Sequence, residues 1–305
     1  MNTDTNSRVT TITSTGPLGG PLLFSLAHPD DESFGSGGTI ALATSLGVPV
    51  TILSATRGER GETAIEGIDS PQTLGAVREE ELRRAMAVLG VSDIRILGYW
   101  DSGMDGTEAN KDPRAFVQAD RAEVVTRLVV HIRGLRPAIV VTFAEDGGYG
   151  HPDHIAIHYA TVEAVRLAAD PDYRPELGEP WRIGAFYYTA IPREVMLEFA
   201  ERNDGPLRHL TPEQRAVLGT PEADISTKIP IGPFLKRKAE AILSHRSQVP
   251  DPSRFSTDET DRADHWRMLE YEYFVRVPLP WEDATAPLPD PLQSLASSGS
   301  VASSK

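Results

Sequence analysis

Short apolar runs alternate along the chain with longer segments of helical periodicity. Four runs have the length and composition of buried strands, namely PLLFSLA (21–27), VPVTILSA (48–55), IRILGYW (94–100) and AIVVTFA (138–144). The segments between them, at 36–46, 72–89 and 119–135, predict helices, because their apolar residues recur at helical spacing. Strands buried on both faces and separated by helices predict an α/β fold. We expect a doubly wound, mostly parallel, Rossmann-like sheet with a smaller C-terminal segment.

The two ends of the chain lack this alternation. Residues 1–18 are rich in Ser, Thr and Gly, and residues 280–305 are rich in Pro, Ser and Ala. Both segments predict flexible tails, since neither has apolar residues in a regular period. The remaining residues, 19–279, are expected to form a single α/β domain.

The composition narrows the classes of function. A formal net charge of −14 argues against nucleic acid as a partner, because no extended basic face is available for phosphates. The absence of cysteine excludes disulfides, a thiolate nucleophile and Cys-ligated zinc. No secretory leader and no apolar run of about 18 residues can be found, which predicts a cytoplasmic protein without a membrane span. A small-molecule partner is expected, and a homo-oligomer is left open.

The first polar cluster directly follows the first predicted strand, as His28-Pro29-Asp30-Asp31-Glu32. Ligands of doubly wound sheets bind beyond the carboxyl ends of the strands. A helix N-cap would explain the acidic residues but not His28. His28 and Asp31 could ligate one ion, and Asp30 could then serve as general base to a water whose pKa the ion lowers towards about 7.

The second polar cluster, residues 145–154, follows the fourth predicted strand and ends in a segment of helical period. Its glycines permit a close turn, and Pro152 suits the first position of a helix. His151 and His154 would then face the same rim as the first cluster, with His158 one turn deeper. Two His and one carboxylate with open positions form a catalytic zinc arrangement. Spacing alone leaves all three His residues as candidates for the third ligand.

The two clusters together resemble a known family. Ala27–Glu32 followed by His151-Pro152-Asp153-His154 is similar to the LmbE-like, or PIG-L, zinc-dependent deacetylases. The likeness spans roughly residues 20 to 250 and includes further motifs, namely Gly-Thr-Ile (38–40), Arg78…Glu81-Leu82, Asp101-Ser102-Gly103-Met104 and Lys238…His245…Ser247-Gln248. It is closest to the mycothiol-pathway branch, which contains the N-acetylglucosaminyl-inositol deacetylase and the mycothiol-conjugate amidase.

The resemblance implies a metal centre and a base. Zinc would lie on His28, Asp31 and His154, although Fe²⁺ would suit the same donors. Asp30 is implied as the general base, which later returns its proton to the leaving amine.

The resemblance also implies residues that stabilise the transition state. His151, held by Asp153, would act there, and Tyr149 would reach the substrate carbonyl beside the metal. His158 is interpreted as a packing or supporting residue.

Three further positions match residues that contact sugar or polyol hydroxyls in relatives, namely Arg78, Glu62 and Asp101. An ion-paired helix residue is the simpler interpretation of Arg78, and a polar loop residue that of Glu62. His245 could support the site or could simply be a cation at the C-terminus of a helix.

The two clusters and the family resemblance together predict metal-dependent hydrolysis of an N-acyl amide on an amino sugar, with acetyl as the expected acyl group. The alternatives are an amidase of the mycothiol-conjugate type with another amide substrate, and a sugar-binding α/β module without activity. An iron oxygenase with Asp30 as a ligand conflicts with the alternation of strands and helices. A dinucleotide site at 35–40 fails, because position 40 is Ile where the fingerprint needs Gly.

Overall fold

The computed structural model describes residues 18–201, 211, 218–255, 270–283 and 285–302. Seven strands form one sheet within these residues: β1 (Leu22–Leu26), β2 (Val50–Thr56), β3 (Asp93–Tyr99), β4 (Ile139–Thr142), β5 (Ala185–Ala190), β6 (Thr227–Pro230) and β7 (Tyr271–Val277). Their order across the sheet is β3-β2-β1-β4-β5-β7-β6. The first five strands are parallel, and β7 runs antiparallel to both β5 and β6. The predicted α/β class with a mostly parallel sheet is confirmed.

Helices cover the sheet and lie between its strands: α1 (Asp31–Ser45), α2 (Pro71–Leu89), α3 (Arg121–Leu135), α4 (Pro152–Ala168), α5 (Arg193–Glu201), α6 (Leu235–Ser244) and α7 (Pro291–Ala302). Local sequence sets their ends. For example, the Ser70 hydroxyl caps α2, and Gly90 ends it in the left-handed conformation with φ 81°. The four predicted strands agree with β1 to β4 within two residues. Helix α1 begins five residues earlier than predicted, at Asp31, so the polar cluster itself starts the helix.

The glycines of α1 serve packing. A Cβ at Gly38 would lie 2.4 Å from Ile231, and one at Gly37 would lie 3.2 Å from Lys238. Both positions therefore let the segment around α6 approach the helix axis closely. Lys238 is buried there and pairs with Glu272 at 2.7 Å. This packing accounts for Gly37 and Gly38 without any bound phosphate.

The C-terminal part of the chain departs from the predicted tail at 280–305. Residues Pro291–Ala302 form α7, which packs against β6 and α1. Leu292 and Leu295 are buried in the same hydrophobic core as Leu22 of β1. The tail prediction is therefore wrong for α7, because two large apolar residues are enough to dock a helix that is otherwise rich in Ser and Ala. The predicted N-terminal tail lies almost wholly outside the described residues.

None of the helices in the described ranges is both long enough and apolar enough to cross a membrane. The core runs along both faces of the sheet, where every residue of β1, β2 and β4 is buried. The polar groups collect instead at the carboxyl ends of these strands.

Candidate active site

The two predicted polar clusters meet where the strand order reverses. From β1 the chain continues to β2 on one side, while β4 pairs with the other side of β1. The loops after β1 and β4 therefore leave the sheet side by side, which is where doubly wound folds bind their ligands. His28 follows β1 and His154 lies in the first turn of α4 after β4. Their ring centroids are 5.2 Å apart.

The outer contacts of His28 determine which ring nitrogen faces the site. Its Nε2 lies 3.1 Å from Asp153 Oδ2 and 3.6 Å from Asp101 Oδ1, so Nε2–H donates to carboxylate. Its Nδ1 points towards His154 Nε2, at 3.2 Å. Burial favours the neutral ring, but Asp101, Asp153 and Asp31 together raise the pKa of His28 well above its usual value.

His154 is fixed in the complementary way. Its Nδ1 lies 3.0 Å from the carbonyl oxygen of Gly147 and donates to it, which leaves a lone pair on the inward Nε2. A close turn makes this contact, since Gly147 has φ 66° and a Cβ there would lie 2.8 Å from the Cβ of His154. The inward Nε2 lies 3.3 Å from Asp31 Oδ1.

Asp31 supplies the negative charge between the two rings. Its Oδ2 accepts from the backbone N–H groups of Ala27 and His28, at 3.1 and 2.7 Å, and lies 3.8 Å from His28 Nδ1. Burial alone would raise the pKa of Asp31, but His154 and His28 hold it well below its usual range. The carboxylate is therefore ionised.

When His28 is neutral, as a metal ligand must be, three acceptors converge on one small volume. Distances of 3.2 to 3.8 Å separate His28 Nδ1, His154 Nε2 and the carboxylate oxygens of Asp31. The N–H of each neutral ring points outwards and is hydrogen-bonded to its outer partner. Facing lone pairs repel unless a proton or a cation lies between them, and the donor set of two imidazoles and a carboxylate is the one that catalytic zinc uses. The residues fit a metal ion. Other combinations around His28 that include His151 or Asp101 also bring ligand atoms within 4.8 Å of one another.

Asp30 lies next to this volume in an unusual conformation. It is the N-cap of α1 with φ 118°, in a region that L-residues rarely adopt. Burial and the neighbouring Asp31 raise the pKa of Asp30 to about 6, although Arg78 opposes the shift. A carboxylate of this kind can accept and return a proton near neutral pH.

Arg78, predicted to contact substrate, lies beneath Asp30. It is 3% exposed, and its Nη2 lies 3.1 Å from Asp30 Oδ2 and donates to the carbonyl of Pro29 at 2.6 Å. Its Nη1 donates to the carbonyl of Gly58 at 2.9 Å. The described contacts of Arg78 are thus with the protein, and a contact with substrate stays a prediction.

The other two predicted substrate contacts lie apart from each other. Glu62 is exposed in the loop after β2, where its carbonyl accepts from Gln248 Nε2 at 3.4 Å. Asp101 is buried beside His28, and its carboxylate accepts from the N–H groups of Arg60 and Gly103 at 3.1 and 2.8 Å. The structure therefore brings Asp101 to the centre and leaves Glu62 at the surface.

His151 and Asp153 are both in the site, but their relation differs from the predicted one. The carboxylate of Asp153 binds His28 and Ser102, whereas the backbone N–H of Asp153 donates to His151 Nδ1 at 3.1 Å. Burial, together with the adjacent His28 and His154, lowers the pKa of His151 to about 2, so its ring is neutral. The predicted support of His151 by the Asp153 side chain is replaced by support from the backbone, because the first turn of α4 directs the carboxylate to His28.

Tyr149 and His158 lie near His154, but only Tyr149 faces the site. Tyr149 places its ring edge-on to His154, with the centroids 5.0 Å apart. Burial and the nearby Asp31 and Asp30 raise its pKa well above the usual value, so its hydroxyl keeps the proton. His158 is turned away, since its Nδ1 donates to the carbonyl of Phe143 at 2.9 Å and its ring packs on Tyr188.

Sequence reasoning assigned no role to Ser102, Glu59 or Glu32, which hold these residues in place, and it left open whether His245 supports the site. Ser102 donates both its N–H and its hydroxyl to Asp153, and Glu59 accepts from the N–H of Asp101 at 3.1 Å. His245 contacts Glu32 at 2.9 Å, and both are fully buried. The end of β3 was a usable signal for Ser102, because it is a third strand end at the same edge of the sheet.

Proteins of known function are similar to this chain in sequence. A family model described as PIG-L, GlcNAc-PI de-N-acetylase, matches residues 23–165. A 1D-myo-inositol 2-acetamido-2-deoxy-α-D-glucopyranoside deacetylase of Geodermatophilus obscurus is 39% identical over 269 residues, covering 84% of this chain and 92% of the relative. The enzyme of the same name from Streptomyces avermitilis is 43% identical over 273 residues, with the same coverage of 84% and 92%.

A solved structure agrees with the fold. The N,N'-diacetylchitobiose deacetylase of Pyrococcus horikoshii superposes with a TM-score of 0.60 at 21% identity, covering 87% of this chain and 86% of the other. This likeness concerns the fold alone. The identity to the two relatives extends over nearly their whole length, and the match to the family model contains both polar clusters, so the chain belongs to the PIG-L, or GlcNAc-PI de-N-acetylase, family.

Proposed function

We propose that the protein is a metal-dependent N-deacetylase that acts on 1D-myo-inositol 2-acetamido-2-deoxy-α-D-glucopyranoside. The observation that carries the proposal is the convergence of three acceptors from His28, Asp31 and His154, with a carboxylate of raised pKa, Asp30, directly beside them. The names of the relatives supply the substrate. The products would be acetate and the free amino sugar. A cytoplasmic location and an oligomeric state stay predictions.

His28 Nδ1, Asp31 and His154 Nε2 would hold the ion, and zinc suits these donors best. When bound, the ion polarises the acetamide carbonyl and lowers the pKa of water. His28 donates its outer N–H to Asp153, and His154 donates its outer N–H to the carbonyl of Gly147. These hydrogen bonds leave the inward nitrogens of both rings free to bind the ion.

Asp30 would take the proton from the attacking water and deliver it to the nitrogen of the amide as the C–N bond breaks. Arg78 supports this role, because it neutralises Asp30 from the side that faces the protein interior. The carboxyl group would end the cycle ionised, and the second proton of the water would leave as H⁺ or on the amine, so that the products are acetate and the amino sugar.

The developing negative charge on the carbonyl oxygen needs donors, and two neutral groups are available. His151 accepts the N–H of Asp153 at Nδ1, which places the ring proton on Nε2 as a donor. Tyr149 keeps its hydroxyl proton and lies beside His154. Removal of one such donor typically costs about 10²-fold in rate.

A cleft beside Glu59 offers a place for the polyol. It has a volume of about 330 Å³ and is lined mainly by the loop between β2 and α2, including Glu59, Arg60, Thr63 and Asp69. Several carboxylate, hydroxyl and guanidinium groups suit a ring that carries many hydroxyls. Glu59 joins this cleft to the site, because it accepts the N–H of Asp101.

The test is an assay of zinc-loaded protein for release of primary amine and of acetate. The substrates are 1D-myo-inositol 2-acetamido-2-deoxy-α-D-glucopyranoside, free N-acetylglucosamine and N,N'-diacetylchitobiose. We expect turnover to be fastest on the first, and Asp30→Asn to retain the metal while losing at least about 10³-fold in kcat. Absence of acetate from all three substrates would refute the proposal, and full activity of Asp30→Asn would refute the assigned base.

A further inference from the structure

The peptide unit between Pro29 and Asp30 is bound on both sides by buried charged residues. Its carbonyl, from Pro29, accepts from Arg78 Nη2 at 2.6 Å. Its N–H, from Asp30, donates to Glu32 Oε2 at 3.0 Å. The plane of this peptide is therefore fixed at its carbonyl oxygen and at its N–H. Because φ of Asp30 is measured relative to this plane, fixing the plane also restrains the direction of the Asp30 side chain.

Asp30 needs this restraint because of its backbone. With φ at 118°, it occupies a conformation that a residue with a Cβ keeps only when its surroundings impose it. The carbonyl oxygen of Asp30 accepts hydrogen bonds from the N–H groups of Ser33 and Phe34 in the first turn of α1. If the N–H contact with Glu32 is lost, the peptide can rotate, and the Asp30 carboxylate then moves relative to His28 and Asp31.

Glu32 is itself held from a distant part of the chain. His245 Nε2 lies 2.9 Å from Glu32 Oε1, and the Ser33 hydroxyl donates to the same oxygen at 2.7 Å. Glu32, Ser33 and His245 are all fully buried. Within the described chain His245 Nδ1 has no hydrogen-bond partner, so the polar contacts of this ring are made through Nε2.

The turn that carries His245 is anchored to a second helix of the site. Ser247, two residues on, donates its N–H and its hydroxyl to the buried Glu81 at 2.8 and 2.6 Å. Glu81 lies on α2 one turn after Arg78. The turn after α6 thus joins α1, which carries Glu32, to α2, which carries Arg78.

We propose that His245 is a positioning residue for the catalytic step: through Glu32 it holds the Pro29–Asp30 peptide and thereby aims the Asp30 carboxylate at the reacting centre. This inference rests on the proposed function of Asp30 as general base. The described side-chain hydrogen bonds of His245 go to Glu32 and Ser33 and not to His28, Asp31 or His154, so its hold on the Asp30 peptide passes through Glu32. Its effect should therefore fall on kcat, with metal content and KM nearly unchanged.

Two amide substitutions separate this role from simple packing. The amide nitrogen of Gln in His245→Gln falls near the position of Nε2 and can still donate to Glu32. The shorter side chain of His245→Asn places its amide near the position of Nδ1 and cannot reach Glu32. Lys238→Gln is the matched control, because Lys238 is equally buried on α6 and pairs with Glu272 instead.

The experiment compares these variants as zinc-loaded proteins by steady-state kinetics, metal analysis, thermal unfolding and hydrogen exchange of the peptide that contains Asp30. For His245→Asn we expect a loss of about 10²-fold in kcat, the usual result of a misplaced catalytic group, with KM within about twofold. Exchange of the Asp30 amide should accelerate by about tenfold, since a hydrogen bond to a charged group is lost. His245→Gln should recover most of both, and Lys238→Gln should keep the wild-type kcat whatever its Tm.

Two results would overturn the inference. One is wild-type exchange at Asp30 in His245→Asn, since the peptide would then be held without His245. The other is an equal loss of kcat in all three variants, in proportion to Tm or metal content. A wild-type protein that releases no acetate would instead refute the proposed function, and the exchange measurement would still decide whether His245 holds the peptide.

Discussion

At the scale of single residues, the site depends on which nitrogen of each imidazole faces inwards. The Nε2–H of His28 donates a hydrogen bond to Asp153, and the Nδ1–H of His154 donates one to the carbonyl of Gly147. The other nitrogen of each ring, an acceptor, therefore faces Asp31. His158 has the same helix face as His154 but uses Nδ1 on the carbonyl of Phe143 and packs on tyrosine. Outer hydrogen bonds therefore support the proposal that His154 is a ligand and His158 a supporting residue, a choice that spacing alone leaves open.

The first prediction contrasts these two His residues of α4. His154→Ala should lose most of the bound zinc, because one of three converging ligands is removed, with affinity falling by about 10²-fold or more. His158→Gln should retain zinc, since its ring is directed away from the centre. Elemental analysis and calorimetric titration with zinc measure both. The reverse outcome would place the third ligand one turn further along α4.

At the scale of elements, α4 is fixed at both ends. Its N-terminus carries His151, Asp153 and His154, and its C-terminus is bound by the guanidinium of Arg133 from α3. Arg133 is 4% exposed and donates to six backbone carbonyls, those of Leu167, Ala168, Asp170, Tyr173, Arg174 and Gly178. A cation at this end of the helix is also favoured by the helix dipole.

The second prediction concerns this contact. Arg133→Met should lower the free energy of unfolding by about 3 kcal/mol, because several buried carbonyls lose their donor. Arg133→Lys should recover only part, since an ammonium group cannot reach the same carbonyls as a planar fork. Arg121→Met is the control, because Arg121 forms a largely exposed ion pair with Glu163 and should change stability by less than about 1 kcal/mol. Urea unfolding followed by circular dichroism measures all three, and equal stability of the Met variants would contradict the argument.

The elements differ in how far sequence could predict them. Strands β1, β2 and β4 are buried on both faces, and they are found as continuous apolar runs. Strand β7 alternates buried residues with half-buried or exposed ones, and β6 has four residues including Pro230, so neither forms an apolar run. Their place in the sheet depends on the pairing of β7 with β5 and of β6 with β7, and both pairings join residues far apart in sequence.

At the scale of the whole molecule, sequence predicted the residue types that meet at the centre but not how they are held. The strand-end argument placed residues 28–32 and 145–154 together, and the structure confirms that they adjoin. The carboxylate of Asp153 could not be assigned to His28, because that contact joins residues 125 positions apart. The pair of Glu32 and His245 spans 213 positions and is likewise a property of the folded chain.

The predicted C-terminal tail failed for a similar reason, and α7 provides the last prediction. Local sequence gives α7 little helical periodicity, since Leu292 and Leu295 are its large buried residues among Ser, Ala and Gly. These two side chains are 0% and 1% exposed, and Asp290 just before them accepts from Tyr187 at 2.8 Å and from Thr227. Helix α7 therefore docks through the burial of these two leucines and through the hydrogen bonds of Asp290. Both interactions require the folded sheet.

If α7 is an integral part of the core, Leu292→Ala with Leu295→Ala should lower the free energy of unfolding by about 5 kcal/mol, the sum of two ordinary Leu truncations. Ser298→Ala, on the exposed side of the same helix, should change it by less than about 0.5 kcal/mol. Chemical unfolding of the three proteins decides between a docked helix and a tail, because a tail would leave the double variant as stable as the Ser298 control. Neither leucine belongs to the site at the N-terminus of α1, so below the unfolding transition we expect the double variant to keep its zinc and its kcat.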